Sequence, residues 1–192
     1  SGLNLTQFYV HAVCAPSRAA FLTGRYAFRT WSDWRSEDFG KPTYLAKLGM
    51  TLAKNEEGDE TRRIHALATE ERTVAEALKE EGYFTAITGK WHCGEWLPEH
   101  LPMGQGFMHQ YGHYAWGIDY NNYTIPHNAP AKFAVFDWHR NQQPVNEQGY
   151  TTDLIANEVV NLISNHKKDH GDKPFFYYVP FNAVHGPLEE IP

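Results

Sequence analysis

The sequence predicts an α/β protein with a mostly parallel central sheet flanked by helices, and three observations lead to that prediction. Segments rich in β-branched and aromatic residues alternate along the chain with segments of helical periodicity. The run 175–181, "FFYYVPF", is nearly continuous in apolar residues, which is typical of a strand buried on both faces of a parallel sheet. The chain has 192 residues, of which 42% are hydrophobic, enough for one substantial core. We therefore expect one domain, or part of a larger one.

The first elements are predicted from local composition. Residues 5–10, "LTQFYV", are expected to form a strand because aromatic and β-branched side chains suit a pleated, half-buried surface. A short helix is predicted over 16–23, since Pro16 suits a first helical position and Gly24 suits the residue after the end. The stretch 45–72 is rich in charge, which indicates a solvated excursion rather than a linker between domains.

The second half of the chain gives clearer signals. Thr73 and Glu76 have the spacing of a capping box and begin a helix that Gly82 ends. A strand is predicted over 83–88, and apolar residues in helical phase predict a long helix over 150–166. The apolar strand at 175–181 follows, so strand and helix alternate as in a parallel α/β sheet.

Composition excludes several classes of function. The net charge of −6 and the lack of a Lys/Arg cluster argue against a surface for nucleic acid or anionic membrane. No segment approaches the roughly 18 apolar residues of a membrane span, and residues 1–10 have no signal-peptide pattern. The two cysteines, Cys14 and Cys93, have neither a disulfide framework nor the paired spacing of a structural zinc site.

Cys14 lies just before the predicted helix, in the segment 11–26, "HAVCAPSRAAFLTGRY". The amino end of a helix favours an anion, and Arg18 lies one turn further on, so this position suits a nucleophile or a bound oxyanion. The alternative is structural, because a lone cysteine is more often a small buried hydrophobe. A cysteine phosphatase would need arginine six residues after the cysteine, and that position is Ala20.

This segment resembles the signature of the sulfatase family, which is Cys-x-Pro-Ser-Arg, three variable residues and Leu-Thr-Gly-Arg. All eight specified positions match: Cys14, Pro16, Ser17, Arg18, Leu22, Thr23, Gly24 and Arg25. The resemblance implies the alkaline phosphatase-like fold and the hydrolysis of sulfate monoesters. It also implies that a formylglycine-generating enzyme oxidises Cys14 to formylglycine, and that the modified residue contributes to binding a divalent cation, expected to be calcium.

The segment 82–96, "GYFTAITGKWHCGEW", supports the same resemblance. A phosphate-binding P-loop would need glycine at Phe84 and serine or threonine at Trp91, so that interpretation is poor. Sulfatases instead carry Gly-Lys-Trp-His-x-Gly, and the matching residues are Gly89, Lys90, Trp91, His92 and Gly94. Lys90 and His92 follow a strand at its carboxyl end, the usual site position in an open α/β sheet. Taken alone, Lys90 would be interpreted as a surface charge and His92 as an ordinary polar residue. Cys93 is expected to pack in the core and to form no disulfide with Cys14.

The last segment, 175–192, resembles the family's strand followed by His-x-Pro, here His185, Gly186 and Pro187. By resemblance, the hydrated aldehyde derived from Cys14 attacks sulfur, Arg18 and Lys90 stabilise charge, and His185 or a lysine assists the leaving oxygen. His92 then takes a proton so that the aldehyde re-forms and sulfate leaves.

The resemblance also predicts what the chain lacks. The family's paired aspartates are expected upstream of Ser1, and its Asp-Asn pair is expected beyond Pro192. Residues 1–192 are therefore expected to be part of a single catalytic domain without its first strand and C-terminal portion, and Asp119 and Asp137 to be loop residues rather than cation ligands. Kinship implies a secreted, periplasmic or lysosomal enzyme whose signal peptide lies outside this chain.

Two questions stay open at this level. The aromatic stretch 106–123 is interpreted as core and loop packing, although it also suits stacking on a sulfated saccharide; a sulfated small molecule is the other substrate class. The activity is also open, because phosphonate and phosphodiester hydrolases of the superfamily can share the cysteine signature. Besides these two kinds of hydrolase, the chain could be a truncated remnant or binding domain without catalysis.

Overall fold

A five-stranded sheet forms the centre of the computed structural model, which describes residues 4, 6–33, 65–95, 97–125 and 135–186. The described strands, in chain order, are β1 (Trp31–Asp33), β2 (His65–Leu67), β3 (Phe84–Lys90), β4 (His109–His113), β5 (Thr124–Ile125), β6 (Val135–Phe136), β7 (His139–Arg140), β8 (Gln143–Pro144) and β9 (Phe175–Tyr178). The described helices are α1 (Cys14–Thr23), α2 (Val74–Glu80) and α3 (Thr151–His170), with short 3₁₀ turns at Ala27–Arg29, Pro98–His100 and Pro102–Gln105.

The strand order of the central sheet is β8-β7-β4-β3-β9. β3 is parallel to both β4 and β9, whereas β7 and β8 continue the sheet in antiparallel fashion. β1 pairs with β2 and β5 pairs with β6 in two small antiparallel sheets. The predicted α/β class with flanking helices is confirmed, and the sheet is mixed with a parallel centre.

The helices agree with the sequence signals. Thr73 and Glu76 form both hydrogen bonds of the capping box, which fixes the start of α2. α3 runs four residues beyond its predicted end, to His170. α1 ends at Thr23, and Gly24 adopts the left-handed conformation with φ of 67°. Its start differs from the prediction, because Cys14 is the first helical residue rather than a residue before the helix.

Three local predictions need correction. Residues 6–10 are irregular and exposed rather than a strand, because strand propensity needs a partner and none is present among the described residues. The last strand ends at Tyr178, and its side chains are half-buried or exposed because it pairs only with β3 in the part of the chain described here. Within 45–72, Ala66 and Leu67 are buried in β2 rather than solvated; residues 34–64 lie outside the description.

Two apolar clusters hold the helices on the sheet. One joins Leu22 of α1 and Ala75 of α2 to Ile87 of β3, and the other joins Tyr111 of β4 to Ile155 of α3. Burial of a side chain such as Leu22, Ile87 or Ile155 contributes about 1.5–3 kcal/mol, so these clusters fix where the helices lie against β3 and β4. Within the described ranges, the helices include none that is long and apolar enough to cross a bilayer.

Glycines let the chain segments at the carboxyl end of β3 approach each other closely. Gly89 has φ of 127°, and a Cβ there would lie 2.2 Å from the carbonyl oxygen of Pro180. Gly112 pairs with Gly89 in register, and a Cβ on Gly112 would lie 2.3 Å from the Gly89 carbonyl oxygen. Since only glycine fits both positions, β4, β3 and the segment after β9 converge immediately before Lys90.

Candidate active site

The segment Lys90–His92 is held rigidly where β3 ends. The Lys90 amide donates to the Pro180 carbonyl at 2.8 Å, and the Trp91 and His92 amides donate to the carbonyls of His113 and Tyr114 at 2.9 Å each. The buried Trp91 indole is anchored as well, because its Nε1 donates to the His100 carbonyl at 2.8 Å. With Trp91 fixed in the core, the two side chains that flank it are placed at the start of α1.

Cys14 and His92 are in direct contact. The Sγ atom of Cys14 lies 3.2 Å from Nδ1 of His92, and Cys14 is half-buried at the first position of α1. His92 has φ of 55°, a conformation that non-glycine residues rarely adopt and that is often found at functional sites. Burial, together with the nearby charges of Lys90 and Arg18, lowers the pKa of His92 to about 3. His92 is therefore uncharged at neutral pH.

Lys90 brings a buried ammonium group to the same place. Its side chain is only 1% exposed. The pKa of Lys90 is lowered to about 8, chiefly by burial and also by the charge of Arg18, whereas the charge and hydrogen bonding of Cys14 act in the opposite direction. Lys90 thus keeps its positive charge at neutral pH in a place from which water is largely excluded.

Arg18 connects α1 to the sheet beneath the cysteine. One of its terminal nitrogens, Nη1, donates to the Lys90 carbonyl at 2.7 Å and to the Tyr178 hydroxyl at 3.4 Å. Its Nε is buried and has no hydrogen-bond partner among the described residues. The site therefore combines two positive groups, Lys90 and Arg18, which favour a bound anion.

His185 lies in the turn after β9. Its carbonyl accepts from the Tyr120 hydroxyl at 2.8 Å, its amide donates to the Asn182 carbonyl at 2.9 Å, and its Nδ1 lies 2.7 Å from the Gly186 carbonyl. In the described part of the chain no hydrogen bond joins His185 to Cys14, although its charge acts on the pKa of His92. Pro187 of the predicted His-x-Pro motif is outside the described residues.

The structure thus brings four of the five predicted site residues into a continuous set of contacts, and it places the fifth within electrostatic range. The contacting residues are Cys14, Arg18, Lys90 and His92.

The second cysteine has the predicted packing role. Cys93 is fully buried in the cluster with Leu22 and Trp91, and both cysteines are free thiols. Burial raises the pKa of the Cys93 thiol to about 12, so it is unreactive at neutral pH.

The two internal aspartates also lie in loops, as predicted. Asp119 accepts from the backbone amides of Asn121 and Asn122 in a tight turn. Asp137 is buried between β6 and β7, where it accepts from the backbone amide of Ala115 at 2.8 Å. Its carboxylate also lies 3.2 Å from Nδ1 of His139.

Sequence reasoning missed a buried histidine beside Lys90. His113 ends β4, pairs with Lys90 in register, and is fully buried. Burial lowers its pKa to about 3, and its ring stacks on Trp138 with centroids 6.5 Å apart. The sequence offers no motif for His113, because its position beside Lys90 follows from the parallel register of β3 and β4.

The described residues do not fit a divalent cation by themselves. No group of three His, Cys, Asp or Glu side chains suited to a metal ion occurs within the described ranges. The groups around Cys14 are His92, the Lys90 ammonium and Arg18, whereas a calcium ion needs six or more oxygen ligands. The cation that the resemblance implies therefore needs ligands beyond those described.

The chain matches a protein-family model and several known proteins. A family model described as Sulfatase matches residues 1–192. The chain is 26% identical to arylsulfatase J of Mus musculus and 28% identical to an arylsulfatase of Klebsiella aerogenes, covering 98% of this chain in both cases. It is 36% identical to human steryl-sulfatase over 58% of this chain. The aligned parts make up 27%, 36% and 17% of these relatives, so the chain spans at most about a third of their length.

Solved structures show the same relationship. The crystal structure of Ps i-CgsB superposes with a TM-score of 0.65 at 27% identity, covering 91% of this chain and 35% of that one. Ps i-CgsB in complex with k-i-k-neocarrahexaose gives a TM-score of 0.64 at 28% identity, covering 92% of this chain and 36% of that one. The fold of the described residues is therefore shared with part of a larger protein.

Proposed function

Because the chain belongs to the sulfatase family, we propose that it carries part of the active site of an enzyme that hydrolyses sulfate monoesters. One observation carries this proposal: the contact of 3.2 Å between Cys14 Sγ and His92 Nδ1, beside the charged groups of Lys90 and Arg18. A sulfate ester is an anion, so its hydrolysis needs a nucleophile and positive groups to offset the charge on its oxygens.

We propose that a formylglycine-generating enzyme converts Cys14 to formylglycine. The hydrated aldehyde would supply the nucleophile. The half-buried position of Cys14 leaves it accessible at the start of α1. His92 lies at hydrogen-bond distance from the side chain of residue 14 and is placed to accept a proton from a hydroxyl group there. His185, or a lysine, is assigned to the proton of the leaving oxygen by the family resemblance, and His185 is near enough for its charge to act on the pKa of His92.

Lys90 and Arg18 are assigned to charge stabilisation. Lys90 is buried and Arg18 is half-buried, so their charges act more strongly on a bound anion than they would in water. Arg18 is already oriented by its bonds to the Lys90 carbonyl and Tyr178, so little reorganisation accompanies anion binding.

The proposed divalent cation is calcium. Of the residues in this chain, the modified Cys14 is assigned as a ligand, and the remaining oxygen ligands are expected outside residues 1–192. A bound cation would add positive charge at the same place.

We propose a sulfated saccharide as the substrate, cleaved outside the cytoplasm in a secreted, periplasmic or lysosomal setting. Support comes from Ps i-CgsB, a structural neighbour at 28% identity that is seen with k-i-k-neocarrahexaose. A sulfated small molecule is the other member of the expected substrate class.

The experiment compares two cysteine variants of the complete enzyme, produced together with the maturation enzyme. We expect Cys14→Ala to abolish hydrolysis of 4-nitrophenyl sulfate, whereas Cys93→Ala retains turnover per folded molecule because Cys93 only packs in the core. Full activity in Cys14→Ala would contradict the proposal. Preference for bis(4-nitrophenyl) phosphate would instead favour a phosphodiesterase, and inactivity on both esters would favour a remnant or binding domain.

A further inference from the structure

Trp116 differs from the other aromatic residues of its segment. Within 106–123 five aromatic side chains are at most 3% exposed and belong to the core or its edge: Phe107, Tyr111, Tyr114, Tyr120 and Tyr123. Trp116 is 42% exposed. Core packing therefore accounts for the segment as a whole but leaves the exposed indole of Trp116 unexplained.

Trp116 lies against the histidine assigned to the leaving group. The centroids of the Trp116 and His185 rings are 5.7 Å apart, with their planes inclined at 57°. Next to it, Gly117 also lies against His185, since a Cβ there would be at van der Waals distance, 3.4 Å, from Nδ1 of His185. The exposed indole and the candidate acid are therefore neighbours on one edge of the site.

The backbone around this pair is fixed from both sides. The Tyr120 hydroxyl donates to the His185 carbonyl at 2.8 Å, and the amides of Tyr114 and Ala115 donate to the buried Asp137. Trp116 thus sits on a loop that is anchored before and after it. A rigid support of this kind keeps an aromatic surface in place for a ligand at a low cost in conformational entropy.

The structure assigns Trp116 to binding the sugar ring of a sulfated saccharide, on the leaving-group side of the reaction centre; this inference rests on the function proposed above. The sugar that carries the sulfate is attached through the leaving oxygen, and His185 is the residue assigned to protonate that oxygen. The sugar must therefore extend past His185, where the exposed indole of Trp116 contacts the His185 ring. A pyranose presents a face of C–H groups that packs well on the negative face of an indole. The alternative is that Trp116 contacts protein beyond the described residues.

The test measures kcat and KM of the complete, matured enzyme for the variants Trp116→Ala and Trp116→Phe. The saccharide probes are a carrageenan oligosaccharide and D-glucosamine-2-N,6-O-disulfate, and inhibition by inorganic sulfate is measured in parallel. Phe175→Ala is the matched control, because Phe175 is 46% exposed and pairs with Phe84 at the opposite end of β3, about 20 Å from Lys90.

We expect Trp116→Ala to raise KM for the hydrolysed saccharide about tenfold, as for loss of one stacking contact. Trp116→Phe should restore most of the loss. Inhibition by inorganic sulfate should not change, since sulfate alone contacts the charged groups and not the indole. Phe175→Ala should leave KM at the parent value.

Several outcomes would overturn the assignment. An unchanged KM in Trp116→Ala, with or without a lower melting temperature, would show that Trp116 serves packing. Hydrolysis of 4-nitrophenyl sulfate without hydrolysis of either saccharide would reject the saccharide and with it the role of Trp116. A parent enzyme inactive on every sulfate ester would reject the proposed function itself, which is a different result.

Discussion

At the residue level, Lys90 combines a stability cost with an advantage for chemistry. Its ammonium is 1% exposed, and burial of a charge is unfavourable unless partners offset it. The Cys14 side chain offsets part of this cost, whereas the positive charge of Arg18 adds to it. Buried charges with shifted pKa values are typical of functional sites.

Lys90→Met should separate these two roles because methionine keeps the volume and removes the charge. We expect kcat/KM for a sulfate ester to fall by about 10²–10³, the effect of one lost contact to a developing charge, roughly 2.7–4 kcal/mol. The melting temperature should stay constant or rise, since the buried charge is gone. Lys79→Met, on the exposed part of α2, is the control. A clear loss of stability with normal turnover per folded molecule would instead assign Lys90 to folding.

Single residues of the site were predictable to different degrees. Cys14, Lys90 and His92 stand in long motifs, so the sequence alone predicted them, and their contacts agree with a shared site. His113 and Trp116 have no such motif. Their positions depend on strand register and loop packing, which local composition does not determine.

At the element level, the close approach of β3 to the segment after β9 positions Lys90. Gly89→Ala would place a Cβ 2.2 Å from the Pro180 carbonyl oxygen at φ of 127°. We expect it to lower the free energy of unfolding by roughly 3 kcal/mol or more. Gly24→Ala should cost only about 1–2 kcal/mol, because its φ of 67° is strained but nothing lies within 4 Å. Urea denaturation of both variants checks this, and equal losses would contradict the steric argument.

The contact of α3 with the sheet includes the buried carboxylate of Glu158. Glu158 of α3 accepts from His109 of β4 at 2.8 Å and from Arg140 of β7. Burial acts to raise the pKa of Glu158, but these hydrogen bonds outweigh it and hold the pKa below its ordinary value of 4.5. A carboxyl whose pKa is lower in the folded state stabilises the protein above pH 4.5, and this contribution is lost as the pH falls through the folded value.

Glu158→Gln should therefore lower the free energy of unfolding by about 1–3 kcal/mol at pH 7, and the difference from the parent should shrink below pH 4.5. Glu80→Gln is the control, because Glu80 forms an exposed pair with Arg72 whose contribution is small. Denaturant unfolding at several pH values measures the difference. A constant loss at all pH values would show that the carboxylate charge is not what stabilises this contact.

Elements were predicted best where the signal was local. The capping box at Thr73 and the glycine after Thr23 fixed helix ends correctly, because both depend on neighbouring residues only. The strand at 5–10 was wrong, and the burial of 175–181 was overestimated, because both depend on partner strands that sequence composition does not report.

For the molecule as a whole, cation binding is the property that these residues do not supply by themselves. The chain spans 27% to 36% of the two arylsulfatases it matches over 98% of its length, and within the described ranges no group of three ligating side chains suits a metal ion. We expect the 192-residue chain alone neither to bind calcium nor to hydrolyse 4-nitrophenyl sulfate, whereas the complete enzyme does both. Calorimetric calcium titration and a chromogenic assay compare them, and turnover by the chain alone would contradict the assignment of ligands outside it.

The chemical state of residue 14 tests the central claim most directly. Mass spectrometry of the peptide that contains Cys14, taken from enzyme produced with the maturation enzyme, should show an aldehyde that a hydrazide captures. We expect Cys14 to be converted to formylglycine because the motif from Cys14 to Arg25 is complete and Cys14 is only half-buried at the start of α1. Enzyme that hydrolyses sulfate esters while residue 14 remains entirely a thiol would contradict it.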